Sequence, residues 1–373
     1  MNILELAFSP SWGGLEILVG EFSKRFQQRG HNVITVIEPN PRLENVLRKN
    51  EIEYLVLKPH FKYADLLTAW KIKKYIKDLK IDIIHTYLSK DLSTAILLKK
   101  LLKSGKVVFT QQMDSRYNKK DLFHRWIYNN LDQVISCTED MKKNHIEHTL
   151  VRKDKISVIY NGVDLRRFNK DKSFDKISFL KKNNIPENKI IIGTIGRIDR
   201  LKNQILLVDV AYDLVKKYKN KLHFIFVGEE TDSVTGWGYR KELETKIEKK
   251  RLGNYFSIFD FSEQVENYFS ILDIFVLTTP KESFGFVLLE AMALGKPVLG
   301  SNLGGPPEII QDEVNGYIFN PSNIEDLYNK LSTLISNKAL IDSMGKKSIE
   351  IVNSKFDLNK IIDDYLKTFE NIL

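Results

Sequence analysis

"IIIGTIGRIDRLKNQILLVDVAYDLVKKYKNKLHFIFVG", residues 190 to 228, decides how this chain folds. It opens on an apolar run with the β-branched content of a buried strand. Gly193, Gly196, Arg197 and Lys202 follow that run, and Asn203 is available to cap the next element. "QILLVDVAYDLVKKY" then carries apolar residues at helical spacing, and "LHFIFVG" is a second apolar strand. A strand, a helix and a strand in that order predict a βαβ unit with parallel pairing.

The same rhythm extends in both directions. Upstream, "NILELAF" leads into "GLEILVGEFSKRFQQRG" and "HNVITVIE", and strand-like runs recur at "IDIIHT", "KVVFTQQ", "QVISC" and "ISVIY". Downstream, "YFSIFDF", "DIFVLT" and "KPVLGS" continue it before helical patterns from Asn323 onward. Near-continuous apolar strands alternating with helices predict parallel sheets covered on both faces, an α/β doubly wound architecture. The regularity breaks at residues 169 to 189, "NKDKSFDKISFLKKNNIPENK", which are polar and lysine-rich with one proline. The expectation is two Rossmann-like domains facing a cleft, residues 1–168 and 190–354, joined by a 169–189 linker, with a last helix over 355–373 packed back onto the first domain.

At 373 residues the chain is long enough for two cores. No run reaches the ~18 uninterrupted apolar residues of a membrane-spanning helix. The start, "MNILELAF", has no basic leader and an acidic Glu5, so it reads as a first strand rather than a secretion signal, and a cytoplasmic protein is expected. The single cysteine, Cys137, has no internal disulfide partner and reads as a small buried residue at a strand end. Charge is uneven: of 57 Lys+Arg and 48 Asp+Glu, residues 1–170 hold 30 and 19. That basic half fits an anionic partner such as a lipid surface, a nucleic acid or a phosphorylated substrate, although a lysine-rich composition throughout also explains it. No helix-turn-helix, zinc-finger spacing or RNP aromatic motif is present, which argues against nucleic acid.

Parallel α/β sheets take ligands at the carboxyl ends of their strands. The loop "GRIDRLK" exposes Arg197 and Lys202 beside a helix start, a setting suited to a diphosphate: Gly196 lets the backbone approach, arginine forks onto phosphate and lysine adds a point charge. A second stretch, "PKESFGFVLLEAMALG" at 280–295, runs from a strand end through Glu282, Ser283, Phe284, Gly285 and Phe286 into a helix that carries Glu290. Its backbone N–H groups point out of a helix N-terminus. A carboxylate in so apolar a helix needs donors, and paired sugar hydroxyls supply them.

The two glutamates, eight residues apart, resemble the E-x7-E pair of the family-4 retaining glycosyltransferases of GT-B fold. "SPSWGGLE" is similar to that family's N-terminal Gly-Gly loop, "VIYNGVDLRRF" to its interdomain segment and "GRIDRLK" to its diphosphate loop. The resemblance implies a retaining transfer of a hexosyl group from a nucleotide diphosphate sugar, UDP rather than GDP, with no metal and no other cofactor. It implies that Arg197 and Lys202 bind the diphosphate, that Glu290 binds the ribose, that Glu282 faces the reacting sugar, and that Gly14 approaches the phosphates from the opposite domain. The acceptor would be a glycan or lipid-linked glycan in cell-surface polysaccharide or lipopolysaccharide synthesis.

Where many members carry a histidine facing the donor sugar, this chain has Gln112, which can hydrogen-bond a hydroxyl but carries no charge. His85, at the end of the preceding strand, is a second candidate donor contact, or else a strand-end histidine satisfied by backbone. His145 and His148 are three apart on a polar helix and are expected to be solvated rather than metal-bound, and no Asp-x-Asp metal clamp occurs in the chain. The helix "TAWKIKKYIKDLK", with Lys62 upstream, could rest on an anionic membrane surface and make the protein peripheral to the membrane, or simply cover the sheet. A non-catalytic nucleotide-sugar-binding partner protein and a basic nucleic-acid-binding protein remain the alternative functions.

Overall fold

Among the described residues the apolar runs become thirteen strands in two parallel sheets. The computed structural model describes residues 1–373 apart from 62, 78, 116, 169–173 and 232, so Lys62 and the first part of the expected linker lie outside the described residues. The chain divides into two compact units, Met1–Asn161 with Asn359–Leu373, and Gly162–Leu358. Residues 162–168, expected in the first domain, therefore pack with the second.

In the first unit β1 (Asn2–Ala7), β2 (Asn32–Ile37), β3 (Glu53–Val56), β4 (Ile83–Thr86), β5 (Lys106–Gln111), β6 (Gln133–Ser136) and β7 (Ile156–Val158) lie in the order β3-β2-β1-β4-β5-β6-β7, all neighbours parallel. The second unit repeats the scheme with β8 (Ile190–Ile195), β9 (Leu222–Val227), β10 (Phe256–Phe259), β11 (Ile274–Val276), β12 (Val298–Ser301) and β13 (Gly316–Phe319), in the order β10-β9-β8-β11-β12-β13. Strand order reverses between β1 and β4 and again between β8 and β11, and such reversals open a crevice at the carboxyl ends of the strands. Apolar side chains of the strands and the covering helices form a buried cluster in each unit, with Leu4, Ile34, Ile84 and Val107 in the first and Ile192, Phe224, Val276 and Leu299 in the second.

Two histidines differ from expectation. His85 lies wholly inside the first unit, its Nδ1 pairing with Glu5 Oε1 at 3.1 Å and its Nε2 with Thr110 Oγ1 at 2.7 Å. Its ring sits among Tyr87, Tyr365 and Phe369, and Tyr87 donates to the other Glu5 oxygen. Both ring nitrogens are engaged in the core, so the residue is not placed to touch a donor. His145 is buried as well, against Phe109 and Tyr128, because Met141 and His145 are four apart on the inward face of the helix Glu139–His148. Solvation had been expected there; instead both of its nitrogens lack a hydrogen-bond partner, and burial pushes its pKa down to about 3.

The helix Leu358–Ile372 belongs with the first unit. Tyr365 meets Phe22 at 4.8 Å and Phe369 meets Phe26 at 5.6 Å, while Arg25 and Arg29 reach Asn359 and Asp363. Cys137 is buried just past β6, its thiol 3.8 Å from the Met141 sulfur. Among the described residues no helix is long and apolar enough to cross a membrane.

Candidate functional site

In the second unit the reversal of strand order sets two loops side by side at the carboxyl edge of the sheet. One leaves β8 through Gly196 and Arg197 into a short turn, Arg200–Lys202; the other leaves β11 through Thr278, Thr279 and Glu282 into the helix Phe286–Ala293. Lys202 joins them: its Nζ lies 2.5 Å from Glu282 Oε2, and its carbonyl accepts the Thr278 hydroxyl at 2.6 Å. Both charged side chains keep partial exposure, 22% and 18%. Arg197 is exposed, and its carbonyl is held by the Gln204 amide at 2.8 Å.

The first loop is fixed by Asp199, which the sequence had not singled out. It is buried and accepts from Leu201 N–H at 2.8 Å and from the hydroxyls of Thr231, Ser233 and Thr235 at 2.9, 3.2 and 2.9 Å. Burial alone would raise its pKa; those four donors outweigh it and hold the carboxyl below its ordinary value. The Thr-x-Ser-x-Thr spacing at 231–235 was the sequence signal for this hub, since alternate hydroxyls on one loop can converge on a single carboxylate. Two smaller expectations change. Asn203 adopts a left-handed conformation and offers its carbonyl, not its side chain, to Leu206 N–H. Gly193 is packed inside β8, where a Cβ would stand 2.5 Å from Leu272, so it serves the core rather than a ligand.

The second loop is braced from behind by a glycine turn. Glu282 bridges to Gly304, and its carbonyl accepts Gly305 N–H at 2.8 Å. A Cβ on Gly304 would lie 2.1 Å from that carbonyl, and the residue sits at φ +78°, so only glycine allows the approach. Phe284 is buried, meeting Phe286 edge-on at 5.4 Å. Its ring anchors the loop, and its backbone packs so closely on Gly305 that a Cβ there would stand 2.5 Å from the Phe284 carbonyl oxygen. Gly285, at φ +109°, opens the helix with no side-chain cap, and the first N–H groups and positive dipole end are thus turned toward the carboxyl edge.

Glu290 follows one turn on in this helix. Burial pushes its carboxyl up to about 7, with the Arg167 guanidinium pulling it down and Glu266 pushing it up. Arg167 itself reaches the Glu263 carbonyl at 2.8 Å and Glu266 at 3.4 Å. It comes from "NGVDLRRF", whose role at the sequence level had rested on resemblance alone.

The structure thus brings Gly196, Arg197, Lys202, Glu282, Phe284, Gly285, Phe286 and Glu290 to one edge of the second unit. Gly14 and Gln112 lie in the first. Gly14 is exposed and begins the helix Gly14–Gln28, behind a loop tied by Asn40 to the carbonyls of Ser9 and Ser11. Gln112 is half-buried in a reciprocal amide pair with the buried Asn161, at 3.1 and 2.9 Å. No cluster of three metal-ligating side chains occurs among the described residues.

Residues 12–167 match the family described as Glycosyltransferase Family 4 and residues 175–350 the family described as Glycosyl transferases group 1. A relative from Bacillus anthracis, N-acetyl-alpha-D-glucosaminyl L-malate synthase, is 26% identical over 98% of this chain and 95% of its own. An Escherichia coli relative, UDP-Gal:alpha-D-GlcNAc-diphosphoundecaprenol alpha-1,3-galactosyltransferase, is 25% identical over 80% of this chain and 78% of its own. The crystal structure of Anabaena HepE in complex with UDP superposes with a TM-score of 0.87 at 22% identity, covering all of both chains. Two parallel-sheet units, two family matches in tandem along the chain and full-length relatives agree: the protein is a group 1 glycosyltransferase of the family-4 type, with the GT-B fold.

Proposed function

We propose that the protein transfers a hexosyl group from a uridine diphosphate sugar, with retention at the anomeric carbon and without a metal, to a glycan or lipid-linked glycan in cell-surface polysaccharide synthesis. The observation that carries this reading is the Lys202–Glu282 ion pair at the carboxyl edge of the sheet, flanked by exposed Arg197 and an uncapped helix N-terminus. A cation held by a carboxylate is positioned before its anion arrives. When a diphosphate takes over Lys202, Glu282 is released beside it and its charge faces the sugar ring.

Bond breaking places negative charge on the diphosphate and positive charge on the ring. Arg197, Lys202 and the helix N–H groups oppose the first, and Glu282 the second; one such contact typically contributes ~10²–10³ in rate. Glu290 would take the ribose hydroxyls. Same-face attack guided by the leaving phosphate is favoured over the double displacement of retaining glycosidases, which requires a second carboxylate on the opposite ring face. UDP is supported by the UDP complex of the Anabaena neighbour and by the UDP-galactose in the Escherichia coli relative's name, and a lipid-linked acceptor by the latter. Donors of that kind are α-linked, and the same name specifies an α-1,3 product, which supports retention.

The test is direct. Purified protein is given UDP-glucose, UDP-galactose, UDP-N-acetylglucosamine and their GDP counterparts, with glycan and lipid-linked acceptors. Nucleotide release is followed, and the product's anomeric configuration is read by proton NMR. UDP release with an α-linked product is expected; a β-linked product would refute retention, and turnover confined to GDP-sugars would refute the donor assignment.

A further inference from the structure

The helix Leu66–Ile76 of the first unit is apolar on two faces. Ala69, Ile72 and Ile76 are buried against the sheet, which is all that a crossover helix needs. Leu66, Leu67 and Trp70 are left 54%, 53% and 52% exposed. Phe61 and Tyr63 on the preceding loop are exposed as well, and so is Leu122 at the start of the helix Leu122–Asn130. These form one neighbourhood: the Tyr63 ring meets Phe123, the residue next to Leu122, edge-on at 5.9 Å.

The loop that carries the rings is a built one. Buried Asp65 accepts from the N–H groups of His60, Phe61 and Thr68 at 2.6, 3.1 and 2.9 Å and from the Thr68 hydroxyl at 2.7 Å. With the backbone pinned inward, the rings are held outward. Single exposed apolar residues need no explanation, whereas a neighbourhood of large ones marks a surface that is covered in use.

Charge selects the occupant. The helix carries Lys71, Lys73 and Lys74, ends on Lys77 and has no acidic side chain, and all four lysines are exposed. Aromatic and leucine side chains ringed by lysines suit the headgroup layer of an anionic bilayer, the apolar tips entering it while the cations meet lipid phosphate. Position agrees. The loop before this helix follows β3, and the loop before Leu122 follows β5, so the patch lies along the carboxyl edge of its sheet, where a parallel sheet takes its ligand.

We propose that this patch seats the first unit on an anionic lipid bilayer, so that an acceptor is presented to the carboxyl edge of that unit from the membrane surface. The statement about the acceptor rests on the function proposed above; the docking does not.

Sedimentation with vesicles tests it. The full chain should pellet with phosphatidylglycerol–phosphatidylethanolamine vesicles at ~50 mM salt, stay in the supernatant with phosphatidylcholine alone, and be released toward ~500 mM salt. Each lysine near the surface is worth roughly fivefold in partition, so K71Q/K74Q/K77Q should lose about a hundredfold. L67S/W70S should lose binding too while retaining the wild-type melting temperature, because both side chains are already exposed. Absence of wild-type binding at low salt overturns the proposal, and so does undiminished binding by both variants. A wild-type dimer in sedimentation equilibrium that L67S/W70S dissociates would assign the face to a second copy and overturn it as well. Release of UDP in the absence of vesicles should be unchanged in both variants. A protein that binds vesicles but turns over no nucleotide sugar would refute the proposed reaction and leave the docking standing.

Discussion

If Glu290 binds the donor ribose, its elevated pKa makes donor affinity depend on pH in a range where an ordinary carboxyl would be silent. A glutamate near its usual ~4.3 is fully ionised from pH 6 to pH 8, and its hydrogen bonds would not change over that span. With the carboxyl pushed up to about 7 by burial, roughly a tenth is ionised at pH 6 and roughly nine-tenths at pH 8. Only the carboxylate accepts from both ribose hydroxyls, so the donor KM should fall about tenfold from pH 6 to pH 8, and binding near neutrality should release a proton. Glu290→Gln should abolish that slope. It should also raise the donor KM by about 10- to 100-fold, since hydrogen bonds to a charged acceptor are worth ~1.5–3 kcal/mol and the amide keeps part of that. Initial rates of UDP release at pH 6, 7 and 8 give the slope, and calorimetry in buffers of differing ionisation enthalpy gives the proton. A wild-type KM that is flat across this range, with no proton released, would refute the assignment of Glu290 to the ribose.

Lys202→Ala should lower turnover by ~10²–10³ yet move the melting temperature little, because a partly exposed ion pair is worth only ~0–1 kcal/mol. The Lys202→Ala/Glu282→Ala double variant should lose much less than the product of the single losses; strictly multiplicative losses would show that the two residues do not act as a unit. Gln112→Ala strands the amide of buried Asn161 and should cost about 1–3 kcal/mol in urea unfolding, so a stability within experimental error of wild type would contradict the role of that pair. His145 stays neutral in the fold down to about pH 3 but takes up a proton near 6.5 when unfolded, so its contribution is intact above pH 6.5 and is lost as pH falls toward 3. By pH 4.5 that amounts to about 3 kcal/mol, and the acid-induced drop in urea midpoint should be smaller in His145→Phe; an identical drop in both proteins would refute it.

The architecture was legible because both sheets are parallel and buried on both faces, which turns each strand into an apolar run that a helix must follow. The placement of the candidate site's loops was legible for a related reason: those at the carboxyl ends of β8 and β11 carry their charges next to recognisable strand ends. What escaped reading depended on contacts between distant positions. His85 lies at a strand end like a ligand residue, and only the pairing of β1 with β4 and β5 brings Glu5 and Thr110 to its two nitrogens. The helix bearing His145 appears polar throughout, and which of its residues turn inward is settled by the sheet beneath it. Asp199 stands in a run of charges, and its importance appears only when a loop thirty residues later folds its hydroxyls back. The Lys-rich helix shows the opposite limit: its composition fits both sheet cover and lipid contact, and exposure assigns different residues to each face.

Because Asn359–Leu373 complete the first unit, that unit cannot finish folding when its own sheet leaves the ribosome. Phe22, Phe26 and the Glu5–His85 pair wait uncovered while the whole of Gly162–Leu358 is synthesised, roughly 10–40 s at ~5–20 residues per second. The second unit, continuous in sequence, can close during that interval. The first to be translated is then the last to be sealed, and a nascent chain stalled before Tyr365 would display an apolar groove to chaperones even though its second unit is complete.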